Sequence, residues 1–347
     1  MTIRGFVAAL LAAPLALLAA PTAAQAAPDP ALTIESVTLN KTSVAVSGLN
    51  TVPITVTVKG KYDTGTPEDS KTPVNVILER TGGSGQLSQL LSTNLVRNET
   101  TGTWSGPVNV PSTANGAFKV TGVMTGPFFP PNPPMNDPTP YAGPSITVTG
   151  THQPKVTALV TPKVVPFNQP YTIRWAVSDA QTGKPYGTRI RVELGTDSSC
   201  VEYFGPGYTN LTDTNGVVTK AYPGVSRMPI TCLLLPGTPD AIGWLSFVPA
   251  RPAIVSAAPS KSSAPVGTVV PVNGSVVGAP LACPVHLQRL YGASQWRTVS
   301  SGAVRESGRF TLSAQPAYRG LIPYRAYFPA CRNYVAGASK AFYIRGT

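Results

Sequence analysis

Apolar side chains recur at every second position in short runs along most of this chain. Ile54, Val56 and Val58 share one parity. So do Ile173, Trp175 and Val177, then Phe310 and Leu312, then Tyr324, Ala326 and Phe328. A period of two is the period of a β-strand, whose successive side chains point to opposite faces. Clusters of Gly, Pro, Asn, Asp and Ser break the runs at intervals of about 8–12 residues, the pattern of an all-β sandwich. Composition agrees with this: charged residues are 12% of the chain, while Thr, Ser, Val, Pro and Gly are plentiful, which favours strands and turns. No stretch has convincing helical periodicity. Residues 86–95 come nearest, and a strand or loop reading fits them equally well.

The first 26 residues differ in kind. Arg4 is their only charged side chain, residues 6–20 are nearly all Ala, Leu and Val around Pro14, and Ala24-Gln25-Ala26 has the small-x-small form that a signal peptidase cleaves after. This order is that of a secretory signal peptide. The apolar run is too short for a comfortable membrane span, which needs about 20 residues. The mature chain is therefore expected to be secreted and extracellular, with no span after cleavage.

Residues 27–347 are too many for one sandwich and suit three of roughly 100 residues each. The expected units are 27–150, 151–250 and 251–347. In the first, residues 74–78 could form a strand beside 52–58, with 103–110, 117–123 and 146–148 completing the sheet. In the second, Trp175 is a core candidate, and residues 249–252 read as a short, stiff linker after it. In the third, residues 269–277 read as a strand pair bent at a glycine.

The four cysteines, Cys200, Cys232, Cys283 and Cys331, suit disulfides in an exported chain, and three pairings are possible. Cys200–Cys232 and Cys283–Cys331 each stay inside one proposed unit. Their spacing does not suit a zinc site. Charge is unevenly placed. Residues 27–150 hold 7 Lys+Arg against 8 Asp+Glu, residues 151–250 hold 8 against 6, and residues 251–347 hold 11 against 1, the single acid being Glu306. Such asymmetry bears on partners rather than on fold.

Gly274, Pro284-Val285-His286-Leu287-Gln288-Arg289, Trp296-Arg297-Thr298-Val299, Gly308-Arg309-Phe310-Thr311-Leu312 and Tyr324-Arg325 together resemble a bacterial secreted immunoglobulin-like module found in actinobacterial exported proteins. Residues 212–217 are similar to the turn of bacterial immunoglobulin-like adhesin repeats. The resemblance implies three tandem immunoglobulin-like β-sandwiches, and a fold that hosts many functions. Tyr324, two residues before Ala326, resembles the tyrosine corner of such domains. On this reading Cys283 and Cys331 tie two loops at one pole, closing 48 residues, which an entropy model values at roughly 4 kcal/mol.

Catalytic constellations are not evident. A hydrolase needs a nucleophile, a base and an orienting group. His152 falls in a linker and His286 on the outward parity of a strand, and both read as plain surface residues. Asp213-Thr214-Asn215-Gly216 opens like a calcium loop but places Gly too early and no acid at the end, so it reads as a turn. Neither a metal nor a cofactor is expected. Leu235-Pro236-Gly237-Thr238-Pro239 has a passing likeness to a sortase signal but ends in Pro and lies far from the C-terminus.

Two surfaces remain as binding candidates. In the third unit, Arg297, Arg309 and Arg325 occupy outward strand positions, and Arg289, Arg305, Arg319 and Arg332 lie near strand ends or loops, with Trp296 and Tyr327 available for stacking. Arginine forks match phosphate and carboxylate groups. The bland alternative is a solvated basic face following arginine-rich codon usage. The second surface is a Pro-rich loop carrying Phe128, Phe129, Met135 and Tyr141, which either anchors a partner or packs on the neighbouring unit. The expectation is a non-enzymatic extracellular binding or adhesion protein whose third unit contacts an anionic cell-wall polymer, such as a wall teichoic acid. The alternatives are a structural spacer without a specific ligand, and a secreted accessory or inhibitor protein binding another extracellular protein. Secretion makes nucleic acid a poor partner.

Overall fold

The computed structural model describes residues 27–66, 71–126, 137–201 and 210–347. The signal-like segment 1–26 and the loop residues Phe128, Phe129 and Met135 lie outside these ranges.

The first sandwich contains β1 (Leu32–Leu39), β2 (Ser43–Ser47), β3 (Thr51–Tyr62), β4 (Val74–Gly82), β5 (Gln89–Leu91), β6 (Val96–Asn98), β7 (Thr103–Pro111), β8 (Gly116–Thr125), β9 (Thr139–Pro140) and β10 (Ser145–Thr151). One sheet has the order β1-β3-β7-β6; the other runs β2-β10-β8-β4-β5, with β9 against β8. Ile54, Val56 and Val58 are fully buried, as the period of two requires. They face Val74, Val76 and Leu78 within the same core. The expectation that residues 74–78 pair beside 52–58 is thus wrong: β4 belongs to the opposite sheet. An alternating run specifies a buried face but not which sheet supplies it. Trp104 fills the centre and donates Nε1–H to the Thr72 carbonyl at 2.9 Å, so its polar tip is satisfied.

The second sandwich contains β11 (Pro154–Thr161), β12 (Tyr171–Asp179), β13 (Arg191–Thr196), the short helix α1 (Ser198–Val201), β14 (Asn210–Leu211), β15 (Val217–Tyr222), β16 (Thr231–Leu235) and β17 (Gly243–Phe247). Its sheets are β11-β12-β15 and β14-β13-β16-β17. Trp175 is fully buried between them, its ring 5.6 Å from that of Phe247. The Cys200–Cys232 disulfide joins α1 to β16 over a Cα separation of 5.6 Å.

The third sandwich is entered through β18 (Arg251–Pro252). It then contains β19 (Val255–Pro259), β20 (Ser263–Ala264), β21 (Val270–Val276), β22 (Pro284–Tyr291), β23 (Gln295–Ala303), β24 (Arg309–Ala314), β25 (Gly320–Phe328), β26 (Tyr334–Val335), β27 (Gly337–Ala338) and β28 (Phe342–Gly346). The sheets are β19-β21-β24 and β20-β28-β25-β22-β23, with β27 on β25. Residues 269–277 do not form a strand pair. They contribute one strand, β21, and Gly274 within it gives room to the Phe310 ring, which a Cβ there would strike. Tyr324 is fully buried and donates its hydroxyl to the Gln315 carbonyl at 3.0 Å, forming the expected corner. The Cys283–Cys331 disulfide joins the residue before β22 to a residue just after β25. These strands are antiparallel neighbours, so the bridge sits at one pole, with Cys283 buried against the core.

In the first and third sandwiches a short early strand runs parallel to the last one, β2 to β10 and β20 to β28. Each pairing covers an edge that would otherwise offer unpaired backbone groups.

Tyr324→Phe keeps the ring but leaves the Gln315 carbonyl without its donor. Denaturant unfolding of the full chain should show the third sandwich destabilised by about 1–3 kcal/mol.

Candidate functional site

The arginines of the third sandwich do not form one patch. Strand register sorts them. Gln288 pairs with Arg325, and Leu290 with Trp296, on the outer face of the larger sheet. There the Arg325 guanidinium lies 4.4 Å from the centre of the Trp296 ring and its Nε donates to Gln288 Oε1 at 2.8 Å. Arg289 pairs with both Arg297 and the buried Tyr324, which places it on the inner side at the strand's end. Arg289 and Arg297 stand 4.4 and 4.9 Å from the Tyr291 ring. Burial raises the Tyr324 hydroxyl pKa, and the charge and hydrogen bond of Arg289 pull it partly back.

Arg305 and Arg309 lie on the opposite sheet. Arg305 reaches Thr311 Oγ1 at 3.1 Å, and that hydroxyl donates to Asn273 Oδ1 at 3.0 Å. With Ser256, Ser275 and Phe310, the residues Asn273, Arg305 and Arg309 line an open, polar depression. Arg319 sits exposed in the loop before β25. Arg332, in the left-handed region at φ 56°, lines a cleft against the second sandwich with Asp197 and Arg227. Structure therefore divides the seven candidates among both sheets, one end and two loops. Among the described residues no carboxylate neutralises any of them: the ion pairs are Lys59–Glu35, Lys61–Asp63 and His152–Asp179, all in the first two sandwiches.

Of the four side chains singled out in the Pro-rich loop, Tyr141 lies among the described residues. It packs on the core of its own sandwich and its hydroxyl accepts the Val37 N–H at 3.3 Å. His286 is half-buried, bonded to Ser301 Oγ at 2.8 Å. The Asp213 carboxylate accepts the backbone amides of Asn215 and Val217 at 2.9 and 2.8 Å, with Gly216 at φ 72°, so those residues make a side-chain-closed turn. Among the described residues no group of three His, Cys, Asp or Glu could hold a metal ion.

Two junction residues emerge that the pattern of the sequence does not display. His152 is no plain surface residue. It turns the chain from β10 to β11 at φ 52°, and its Nδ1 meets Asp179 Oδ2 at 2.8 Å. Tyr186 donates to its carbonyl at 2.5 Å. Burial pushes the Tyr186 hydroxyl up to about 12, with the Asp179 charge adding to it. Arg251, expected within a short, stiff linker, is 1% exposed. It donates to the Ser226 and Val225 carbonyls at 2.6 and 2.5 Å, lies 4.4 Å over the Phe167 ring, and takes the Asn333 carbonyl through its own N–H at 2.7 Å. Its burial lowers the guanidinium pKa. The first two sandwiches also touch directly. Gln86 Nε2 donates to Trp244 O at 2.7 Å, Asn109 Nδ2 to Thr238 O at 2.8 Å, and the Thr113 hydroxyl to Ile242 O. Leu49 packs on the second core. The sortase-like residues 235–239 thus serve an internal contact.

The sequence matches no family model and no curated protein. Among solved structures the chain is similar to the Escherichia coli adhesin FdeC, at 13% identity over 93% of this chain and 99% of that one, TM-score 0.30. It is also similar to dimeric latent PorU from Porphyromonas gingivalis, at 12% identity over 90% and 34%, TM-score 0.25. The D0–D1 domain of intimin matches at 11% identity over 55% and 97%, TM-score 0.21. Superpositions this loose say nothing about what the chain binds.

Burial alone would raise the Asp179 pKa. The hydrogen bonds from His152, Gln181 and Thr182, with the His152 charge, outweigh it and lower the value from 3.8 to about 2. Its stabilisation is therefore complete above about pH 4 and lost as pH falls from about 4 to 2. Thermal unfolding across that window should show wild type losing stability more steeply than Asp179→Asn.

Proposed function

We propose that this chain is an exported, non-enzymatic binding protein of the bacterial cell surface, and that its third sandwich contacts an anionic surface polymer. One observation carries the reading. Residues 251–347 hold 11 Lys+Arg against 1 acid, and among the described residues no carboxylate pairs with any of those cations. A field of one sign on a small domain raises the local concentration of oppositely charged polymers. The two disulfides suit an oxidising, extracytoplasmic compartment. The resemblance to actinobacterial secreted modules supports the same setting.

A second reading, a spacer holding other parts at a distance, is favoured by the junctions. Backbone carbonyls of the second sandwich receive side-chain donors from the first, and Arg251 is buried between the second and third. Tight junctions of this kind restrict relative motion whether or not a ligand exists.

Binding of the purified chain to wall teichoic acid should be strong at low ionic strength and fall steeply as salt is added, because exposed charges are screened within about 3 Å at 1 M. Retention that is absent at low salt, or equal in about 1 M salt, would sink the proposal.

A further inference from the structure

The outer face of the larger sheet of the third sandwich breaks the pattern expected of a solvated face. Antiparallel sheets with one wet side place polar residues there. Here register brings Tyr343 and Arg345 of β28, Leu321, Pro323, Arg325 and Tyr327 of β25, and Trp296 of β23 to the same side. Leu321 and Tyr343 are each 56% exposed. No carboxylate lies on these strands. Four strands at about 4.8 Å spacing make a platform roughly 14 Å across. The Arg325 guanidinium stands 4.4 Å from the centre of the indole and its Nε is bonded to Gln288, while no hydrogen bond of its Nη groups occurs among the described residues.

We propose that this face is a binding site for an acidic glycan, with a sugar ring stacking on the exposed Tyr343 and with Arg325, positioned over the half-buried Trp296 indole, taking a ring carboxylate. The inference rests on the anionic-polymer reading and narrows it to one face and one ligand chemistry. A pyranose has a C–H face, which suits an exposed aromatic, and a uronate adds a planar carboxylate, which suits the Nη edge of an arginine. The opposite sheet serves as the internal contrast. Arg305 and Arg309 are surrounded there by Ser256, Ser275, Asn273 and Thr311, with no exposed ring, so that side offers charge without stacking. A linear polyphosphate would use either side; an acidic glycan requires the aromatic one.

The test is equilibrium binding of the full chain to polygalacturonate, inorganic polyphosphate and neutral dextran. Variants are Trp296→Ala, Trp296→Phe, Arg325→Gln and the double Arg305→Gln/Arg309→Gln, with thermal midpoints taken to confirm folding. Trp296→Ala should weaken polygalacturonate binding about tenfold and leave polyphosphate binding within about twofold. Trp296→Phe should restore most of the loss, which also separates a lost ring from a lost fold. Arg325→Gln should weaken polygalacturonate binding about tenfold, and the double variant should change it less than about threefold. The inference is overturned by an unchanged affinity in Trp296→Ala, by a loss confined to the double variant, or by binding of polyphosphate without polygalacturonate. The last leaves the anionic-polymer reading standing. Binding of neither polymer removes both, and would turn attention to a protein partner for this face.

Discussion

Each sandwich is held by a layer of apolar side chains that exists only because a strand shows alternate residues to opposite faces. Ile54, Val56 and Val58 are buried against Val76 and Leu78 because both sets keep one parity. Shifting β3 by one residue would put its whole set in water, since its other parity is solvent-facing. Units of about 100 residues have little core to spare, and the second has the smallest among the described residues. It also has a disulfide and a contact at each end, so the smallest core is braced from outside. The first, with the most extensive core, has no cysteine.

Local patterning made the strands and the central residues readable: Trp175, Phe310 and Tyr324 were expected inside and are buried. Which sheet each strand joins was not, because β4 has the same alternation in either place. Disulfide pairing was legible from the proposed units. Arg309 and Arg325 were legible as outward positions; Arg297, expected outward as well, pairs with Arg289 on the inner-parity side at the strand's end, because the distribution depends on register across β22, β23 and β25. A bulge between Leu287 and Gln288 shifts that register by a residue. His152 and Arg251 were missed because their partners lie far away in the chain. Asp179 is 27 residues from His152, and Val225 is 26 from Arg251. A positively charged residue between two prolines and alanines reads as linker until the carbonyls around it are known.

Arg251 shows how a junction can be specific without an ion pair. A buried cation without a carboxylate is costly. Here carbonyl oxygens and the Phe167 face of the second sandwich supply the partial negative charge, while the Arg251 backbone N–H bonds Asn333 of the third. Removing the side chain would leave those carbonyls without their donor, so the junction is held by mutual need. The basic character of the third sandwich is in this sense divided: Arg251 is buried at the junction, while Arg297, Arg309 and Arg319 are exposed.

The Cys283–Cys331 bridge has a mechanical consequence. A tether pulling on the third sandwich could otherwise draw out every residue between these positions. The bridge closes 48 residues into a loop, so about 16 nm of contour length is withheld from extension at roughly 3.4 Å per residue. Strands β22 to β25, which carry Trp296, Arg325 and Arg309, lie within that loop. A load that peeled away the strands outside it would therefore lengthen the molecule while these four stayed covalently closed upon one another.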